Sequence, residues 1–501
     1  MSLDCELAIA SRMLPKNASE EALKLVSFLL AAMQRGHLCV RLRPDLYPIL
    51  EGYEGFSCGG LEEIISHPEF EFVEGRLYLK RLYNLEIAFE RESERLFSTT
   101  PSLKFDRDLL RSQIFLLVSE KSLLKEQGEC IFQAFESGLT LITGGPGTGK
   151  TYTAGHLLKL MLAHAPGIKV ALAAPTGKAA RNLQNSINSA LEGNQAAFEA
   201  VTLHRLLGIS PQNQSPLPRP LNFDVILVDE SSMIDIEVMT LLFASVKDGA
   251  RLILLGDMHQ LPPVEAGSLF SDLLHKWEAM KRPIGRLTHC LRSDLKEIVD
   301  FSRAVNSGEP GKFGGAVSRL NLNLDSYKDA EALVKLAANH FESEAPGRFC
   351  LLTPLVKGPF GTSSLNQRIH EELLARRSEH IPVPIIVKKS SPDFGLFNGD
   401  CGILLGDKLY FDERAVPALL VEYDFGYALS VHRSQGSEYD HVLLILPEGS
   451  QQFGREVLYT GVTRAKKKLS LACTDLMFSE VISKTAERLS KNTPAQLVRV
   501  L

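Results

Sequence analysis

The residues best placed to do chemistry fall in one short run. Residues 144–151 read Gly144, Gly145, Pro146, Gly147, Thr148, Gly149, Lys150 and Thr151, which fits the spacing G-x-x-x-x-G-K-[ST]. Glycines let the backbone bend so that successive N–H groups converge on a phosphate. Lys150 would bridge the β- and γ-phosphates of a nucleoside triphosphate, and the Thr151 hydroxyl would hold Mg²⁺. A second run, Asp224–Asp235, carries an apolar stretch that ends in two carboxylates, Asp229 and Glu230. One can hold Mg²⁺ opposite Thr151 while its neighbour orients and deprotonates the attacking water. In a third run, residues 251–263, Gln260 follows Gly256 and Asp257, where an amide can sense the γ-phosphate. Two arginines further on, Arg292 and Arg464, could be delivered to a triphosphate from a separate domain. Such fingers contribute ~10³–10⁵ in rate.

Other runs offer grip rather than bond breaking. Ala173–Arg181 (AAPTGKAAR) reads as strand, turn and helix start, so Thr176 and its neighbouring N–H groups form a second anion pocket. With the Lys150 loop taken by nucleotide, a phosphodiester backbone is the expected occupant. Val201–Gly208 can add Thr202 and His204 to it. Ser434, Gln435 and Gly436 make a polar turn of little bulk, suited to close approach of a ligand backbone.

These residues need rigid carriers. Apolar runs at Leu139–Thr143, Lys169–Ala174, Asp224–Val228, Arg251–Leu255, Phe349–Thr353, His441–Leu446 and Lys468–Ala472 alternate with longer helical stretches. That alternation predicts α/β architecture with parallel sheets covered on both faces, in two domains. The first is expected over 106–290, the second over 291–356 and 426–501. A small β insertion over 357–425 separates the halves of the second, with strands at Ile381–Lys388, Asp400–Leu405 and Lys408–Phe411. Residues 1–105 carry no catalytic pattern and are expected to form a mainly helical partner-docking domain, although the charged residues between Lys80 and Arg95 read equally as a solvated helix face. Ser19 would cap a helix running through Gln34 and stopped by Gly36. A second helix is expected over Arg76–Phe97, with Ser98–Asp106 as a linker.

Composition narrows the class. The chain has 501 residues, 45% of them hydrophobic, which suits three or four globular domains. No run is long and apolar enough for a membrane span, and the start lacks the pattern of a secretory signal, so a cytoplasmic protein is expected. The eight cysteines are scattered without a C-x-x-C pair, which argues against a zinc or iron–sulfur cluster and a disulfide framework. The net charge of −5 weighs mildly against nucleic-acid binding, although a local groove can still be basic.

Taken in order, Gln127, GGPGTGKT (144–151), APTGKAA (174–180), TLHRLLG (202–208), VDESSMID (228–235), GDMHQLPPVEAGS (256–268), LTHCLR (287–292), GLFNGDCGIL (395–404), VHRSQGSEYD (431–440) and YTGVTRA (459–465) resemble the blocks of superfamily 1 helicases. The resemblance is nearest to the RecD family, the alpha subunits of bacterial exodeoxyribonuclease V. It covers roughly residues 120–475, and RGHLCVRL and RLYLKRLYNLE extend it into the N-terminal region. It implies a DNA-dependent ATPase that uses ATP and Mg²⁺ to move 5′→3′ on single-stranded DNA from DNA ends. It implies two RecA-like domains, a small SH3-like β insertion, and RecB and RecC as partners in double-strand break repair and recombination. By position it makes Gln127 the adenine-reading residue, Lys150 and Thr151 the phosphate and Mg²⁺ residues, and Asp229 and Glu230 the metal and water carboxylates. Gln260 becomes the γ-phosphate glutamine, Arg292 and Arg464 the fingers, and Thr176, His204, Ser434 and Gln435 the grip on single-stranded DNA. Leu291 stands where the family usually has an aromatic residue. The chain shows no nuclease pattern, so nuclease activity would come only through partner subunits. Two alternatives stay open: a P-loop ATPase acting on protein or RNA, and, from the motif-free N-terminal region and short insertions, a regulatory or scaffolding ATPase with little unwinding of its own.

Overall fold

Parallel strands need long crossovers, and the helices that make them bury the sheet on both faces. The computed structural model describes residues 3–42, 60–191, 198–210, 212–290, 296–320, 322, 324, 326–345, 347–376, 381–411, 414–486 and 488–491. It contains two parallel sheets. The first has six strands in the order Ala200–Thr202, Val170–Ala174, Val225–Val228, Arg251–Gly256, Leu139–Gly144 and Gly285–Leu287. Every pairing in it is parallel, so the carboxyl ends lie along one edge, where open α/β sheets bind ligands. Val225–Val228 is buried throughout, as a central strand covered on both faces must be.

The second sheet has five parallel strands in the order Val317–Leu320, Ala465–Ala472, Tyr439–Ile445, Phe349–Thr353 and Ala428–Ser430. A separate antiparallel sheet is built from Arg414–Pro417, Lys408–Phe411, Cys401–Leu405, Val383–Val387 and Tyr423–Phe425. The β insertion expected over 357–425 therefore begins later than its pattern suggested. Helix Thr362–Arg376 occupies the first part of that range and buries Leu365, Ile369 and Leu373. These stand four apart, a helical spacing, and the Gly- and Pro-rich flanks obscured it. Asn366 ties the helix to the second sheet through both of its amide atoms, at 2.9 and 2.8 Å from the backbone of Ala428.

The N-terminal region opens on a helix, Leu3–Met13, and follows expectation at the next one. Ser19 caps Glu20–Gln34 by accepting from the Ala22 N–H at 3.2 Å, and Gly36 follows at φ 89°. The expected helix Arg76–Phe97 differs. Arg76–Leu79 is a strand of a hairpin with Phe70–Val73, and the helix runs Lys80–Ser98. The two-residue turn explains this: Glu74 and Gly75 both adopt positive φ, 52° and 75°, the conformation that matches strand twist. That helix lies on the first domain. Phe89 meets Phe243 at 4.9 Å between ring centroids, and Arg95 donates to the carbonyls of Phe243 and Val246, each at 2.9 Å.

The segment read as a linker is tied down as well. Ser102 N–H donates to Gly249 O at 2.9 Å. Buried Arg251 donates to Leu103 O at 2.8 Å and Phe135 O at 2.7 Å, with its guanidinium 4.8 Å from the Phe105 ring centroid. Among the described residues no helix is long and apolar enough to cross a membrane.

Helix Leu269–Ala279 carries a test of this core. Asp272 is buried, its Oδ2 unpaired among the described residues, and burial pushes its carboxyl up to about 7, opposed by the Ser490 hydroxyl and the Arg488 charge and reinforced by Glu86. The folded protein thus binds this proton more tightly than the unfolded chain does. The associated stabilisation is complete below the ordinary aspartate range and is lost as pH rises through about 7. Asp272→Asn should therefore gain stability relative to the parent between weakly acidic and weakly basic pH. Urea midpoints across that window check this, and a difference that shrinks with rising pH contradicts it.

Candidate nucleotide site

Strand Leu139–Gly144 delivers the chain to the glycine loop, and helix Lys150–His164 carries it away. Gly149, at φ 81°, caps that helix in the left-handed region where a side chain is costly. The helix N-terminus, with its free N–H groups and positive dipole end, faces the loop and suits an anion. Thr148 Oγ1 donates to Gly145 O at 2.8 Å, and Lys150 Nζ donates to the carbonyls of Gly144 at 2.6 Å and Gly145 at 3.3 Å. Pro146 and Gly147 complete the turn, the latter at φ 72°. Gln127 is buried beside it. Its Oε1 accepts from Leu124 N–H at 2.9 Å, and its Nε2 donates to Thr148 O at 3.4 Å.

Across the sheet edge, Thr151 Oγ1 donates to Asp229 Oδ2 at 3.3 Å. Asp229 Oδ1 accepts from Glu230 N–H at 2.8 Å. Glu230 itself sits at φ 52°, a strained position for a side-chain-bearing residue, and its Oε2 is buried without a partner among the described residues. Burial raises the Glu230 carboxyl above its ordinary range. The Asp229 charge adds to this, while Lys150 and Arg464 pull it back. Asp229 is raised by the same burial, against Lys150, the Glu230 amide and Thr151. Gln260 is buried, its Nε2 at 3.5 Å from Asp257 Oδ2 and its Oε1 unpartnered.

The second domain closes the crevice. Arg464 is buried and held by Thr460 O at 3.0 Å, Ser437 O at 3.3 Å and Thr463 Oγ1 at 3.2 Å, and its charge is felt at Glu230. Arg292, the other expected finger, and Leu291 lie outside the described residues. Tyr459 and Asp257 escaped the sequence reading as site residues. The Tyr459 hydroxyl donates to Asp257 Oδ2 at 2.8 Å, and a Cβ built on Gly145 would stand 3.1 Å from that hydroxyl. Tyr459 therefore roofs the glycine loop. Both residues lie within notable runs, but a tyrosine and an aspartate reveal such a role only once they face each other.

The residues expected to grip a strand are placed less uniformly. Thr176 caps helix Gly177–Ala190, its hydroxyl accepting from Ala179 N–H at 3.2 Å. His204 is exposed on the short helix Leu203–Leu207, which Thr202 caps. Ser434 and Gln435 differ from expectation: neither side chain faces an open surface. Ser434 is fully buried and donates to Val431 O at 2.7 Å, and Gln435 Nε2 donates to Leu261 O at 3.1 Å. Buried carbonyls need donors, and these two side chains turn inward to supply them.

The arrangement suits a triphosphate with a divalent cation. The loop and helix N–H groups and Lys150 lie at the loop, the Arg464 charge acts on Glu230, and among the described residues Glu230 Oε2 and Gln260 Oε1 have no partner. Thr151 and Asp229 are the residues that would hold the cation. Known proteins resemble this chain over most of its length. Residues 122–326 match the family described as AAA domain, and residues 425–472 match the UvrD-like helicase C-terminal domain. The chain is 31% identical over 416 residues to RecBCD enzyme subunit RecD of Mycobacterium tuberculosis, covering 73% of this chain and 72% of that one. It is 30% identical over 546 residues to the RecD subunit of Haemophilus influenzae, covering 89% and 84%.

The chain belongs to the RecD family.

It is also 33% identical over 414 residues to the ATP-dependent RecD2 DNA helicase of Deinococcus radiodurans, but spans only 55% of that longer protein. Within the RecD family frame, the AAA match contains Lys150 through Gln260, and the UvrD-like match contains Ser434 through Arg464.

Two substitutions test the site. Glu230→Gln should retain nucleotide binding and lose about 10²–10⁴ in turnover, as loss of a general base does. Arg464→Ala should cost about 10³ or more in turnover while leaving nucleotide affinity within a few-fold. Steady-state hydrolysis paired with equilibrium nucleotide binding separates these outcomes from loss of the fold.

Proposed function

We propose that this chain is an ATP-driven motor that moves 5′→3′ along single-stranded DNA, working as a RecD-type subunit beside RecB- and RecC-type partners. One observation carries the reading: the loop bearing Gln260 is held at both ends by the second domain. Asp257, before it, accepts from the Tyr459 hydroxyl at 2.8 Å. Leu261, after it, donates its N–H to Thr460 Oγ1 at 2.8 Å and accepts from Gln435 Nε2 at 3.1 Å. A change at the γ-phosphate that shifts Gln260 must therefore be felt at the 434–436 turn, and the reverse holds by linkage.

In this mechanism Lys150 and the loop N–H groups bind the phosphates. Glu230 takes the proton of the attacking water, its raised affinity for protons fitting it to that task. Arg464 stabilises charge that develops on the transferring group. A bound Mg²⁺ would supply further charge neutralisation at the phosphates. Release of the products loosens the tie between the domains, and a strand gripped differently in the two states advances.

The strand's path follows the face shared by helix Gly177–Ala190 and the turn at 395–400. Lys178 Nζ donates to Ser437 Oγ at 2.6 Å, and Arg181 pairs with Asp400 at 3.1 Å. Gly177 has no room for a side chain, since a Cβ would lie 2.4 Å from the Phe397 side chain. A cavity of about 660 Å³ beside it is lined by Arg181, Arg205, Arg414, Phe397 and Glu199, the last paired with Arg205 at 2.8 Å. Guanidinium groups for phosphates and a ring for a base suit sequence-tolerant binding once a strand's phosphates replace these carboxylate partners. The excess of arginine here coexists with a net charge of −5.

The test uses tailed duplexes. The parent chain, alone and with its co-purifying partners, should show hydrolysis stimulated by single-stranded DNA and displacement from a 5′ tail in preference to a 3′ tail. Lys150→Gln should abolish both while retaining the fold and weak DNA binding. Gln435→Ala should uncouple them, leaving basal hydrolysis within a few-fold and reducing the DNA stimulation. Equal stimulation by RNA, or hydrolysis unresponsive to any polynucleotide, would overturn the reading. Stimulation without displacement in either preparation would favour a regulatory subunit.

A further inference from the structure

Away from the crevice, three side chains with metal-ligating atoms meet in the second domain. His340 lies in the last turn of helix Tyr327–Ser343, Glu344 caps that helix, and His441 lies on strand Tyr439–Ile445. Spacing of i and i+4 sets His340 and Glu344 on one face. The fold brings in His441 from a distant part of the chain. Glu344 Oε1 lies 3.1 Å from His340 Nδ1 and 2.7 Å from His441 Nδ1, and all three ligand atoms fall within 4.8 Å of one another.

We propose that His340, Glu344 and His441 form a binding site for a divalent transition-metal ion of the zinc class, which clips the end of the helix to the sheet. Two imidazole nitrogens and one carboxylate oxygen are donors for a borderline-soft ion and leave a fourth tetrahedral position for water. The cysteine pattern that argued against zinc does not bear on this site, because its donors are imidazole and carboxylate. An outer shell is already in place. His441 Nε2 lies 3.0 Å from Ser470 Oγ, which lies 3.1 Å from Ser318 Oγ, and Ser318 Oγ donates to Leu469 O at 3.2 Å.

This shell serves both tautomers of His441. When Ser470 donates to Nε2, Nδ1 carries the proton and points it at Glu344. When Ser470 accepts from Nε2–H and donates to Ser318, Nδ1 is free to bind an ion. The His340 ring stacks on Phe349 at 4.8 Å and 28°, which fixes its plane. The side chains of His340 and Glu344 remain 22% and 25% exposed, giving an ion a route from solvent, whereas His441 is 5% exposed.

The competing reading is a carboxylate clamping two imidazoles by hydrogen bonds alone, which needs no ion. The two are separated with the full, tag-free chain, stripped by chelator and kept in millimolar Mg²⁺ to saturate oxygen-only sites such as the nucleotide crevice. Calorimetric titration with Zn²⁺ should show one equivalent bound, and Co²⁺ should give the intense visible absorption of a four-coordinate ion. His340→Gln and Glu344→Gln, both at partly exposed positions, should each weaken Zn²⁺ binding about tenfold or more and remove the Co²⁺ band. His441→Gln should do the same; circular dichroism and the intact partner variants guard against misreading a folding failure. Absence of Zn²⁺ binding by the folded parent chain, or binding and spectrum unchanged in folded His340→Gln and Glu344→Gln, would overturn the proposal.

Discussion

Removing like charges from water in one crevice is the constraint on which the rest of this structure depends. Asp229, Glu230 and Asp257 are carboxylates gathered at the carboxyl edge of the first sheet, and the cations set against them are Lys150 and Arg464. A buried carboxylate without a partner costs several kcal/mol, on the order of an entire domain's margin of stability. Here the cost is met by positive groups from two domains, and among the described residues it leaves Glu230 Oε2 without a partner. The crevice suits the phosphates of a nucleotide, and Thr151 and Asp229 would hold a cation that came with them.

Much of the surrounding structure serves to hold that arrangement. The parallel sheet sets three strand ends side by side, so that the glycine loop, the Asp229–Glu230 pair and the Asp257–Gln260 loop converge without long excursions. Tyr459, Thr460 and Gln435 then attach the second domain to the last of these loops by three hydrogen bonds, at 2.8, 2.8 and 3.1 Å. Few bonds with well-defined geometry make a contact that can break as a unit, which is what a two-state motion requires. The crevice and the face where a strand is proposed to run share residues of the same short turns. Chemistry at one can therefore be expressed as movement at the other.

The same loop is gripped from behind. Arg488, close to the end of the described chain, donates to the carbonyls of Pro263, Glu265 and Gly267. Leu489 pairs its backbone with Leu38 and His37, at 2.9 Å in each case, and Lys491 Nζ reaches Glu90 at 3.1 Å. A segment that follows the last helix of the second domain thus crosses to the first domain and the N-terminal region. The segment from Asp257 to Gly267 is anchored to the second domain on its crevice side and to this strap on its outer side.

Sequence alone determined which chemistry was available and on which elements it rode. The run Gly144–Thr151, the apolar strand ending in Asp229 and Glu230, and the alternation of strand and helix are local patterns. Local backbone physics suffices to read them, because a glycine loop between strand and helix has few other uses. Ser19 as a cap and Gly36 as a stop were legible for the same reason. Where Arg76–Leu79 was read as helix, a positive-φ pair at Glu74 and Gly75 overrode the apolar spacing, and helix Thr362–Arg376 was hidden by its flanks. Only the tertiary structure decided that Tyr459 roofs the glycine loop, that Ser434 and Gln435 turn inward, and that His441 joins His340 and Glu344. Each depends on contacts between residues far apart in the chain, and side-chain direction at such a contact is set by the packing of whole domains rather than by any neighbouring residue.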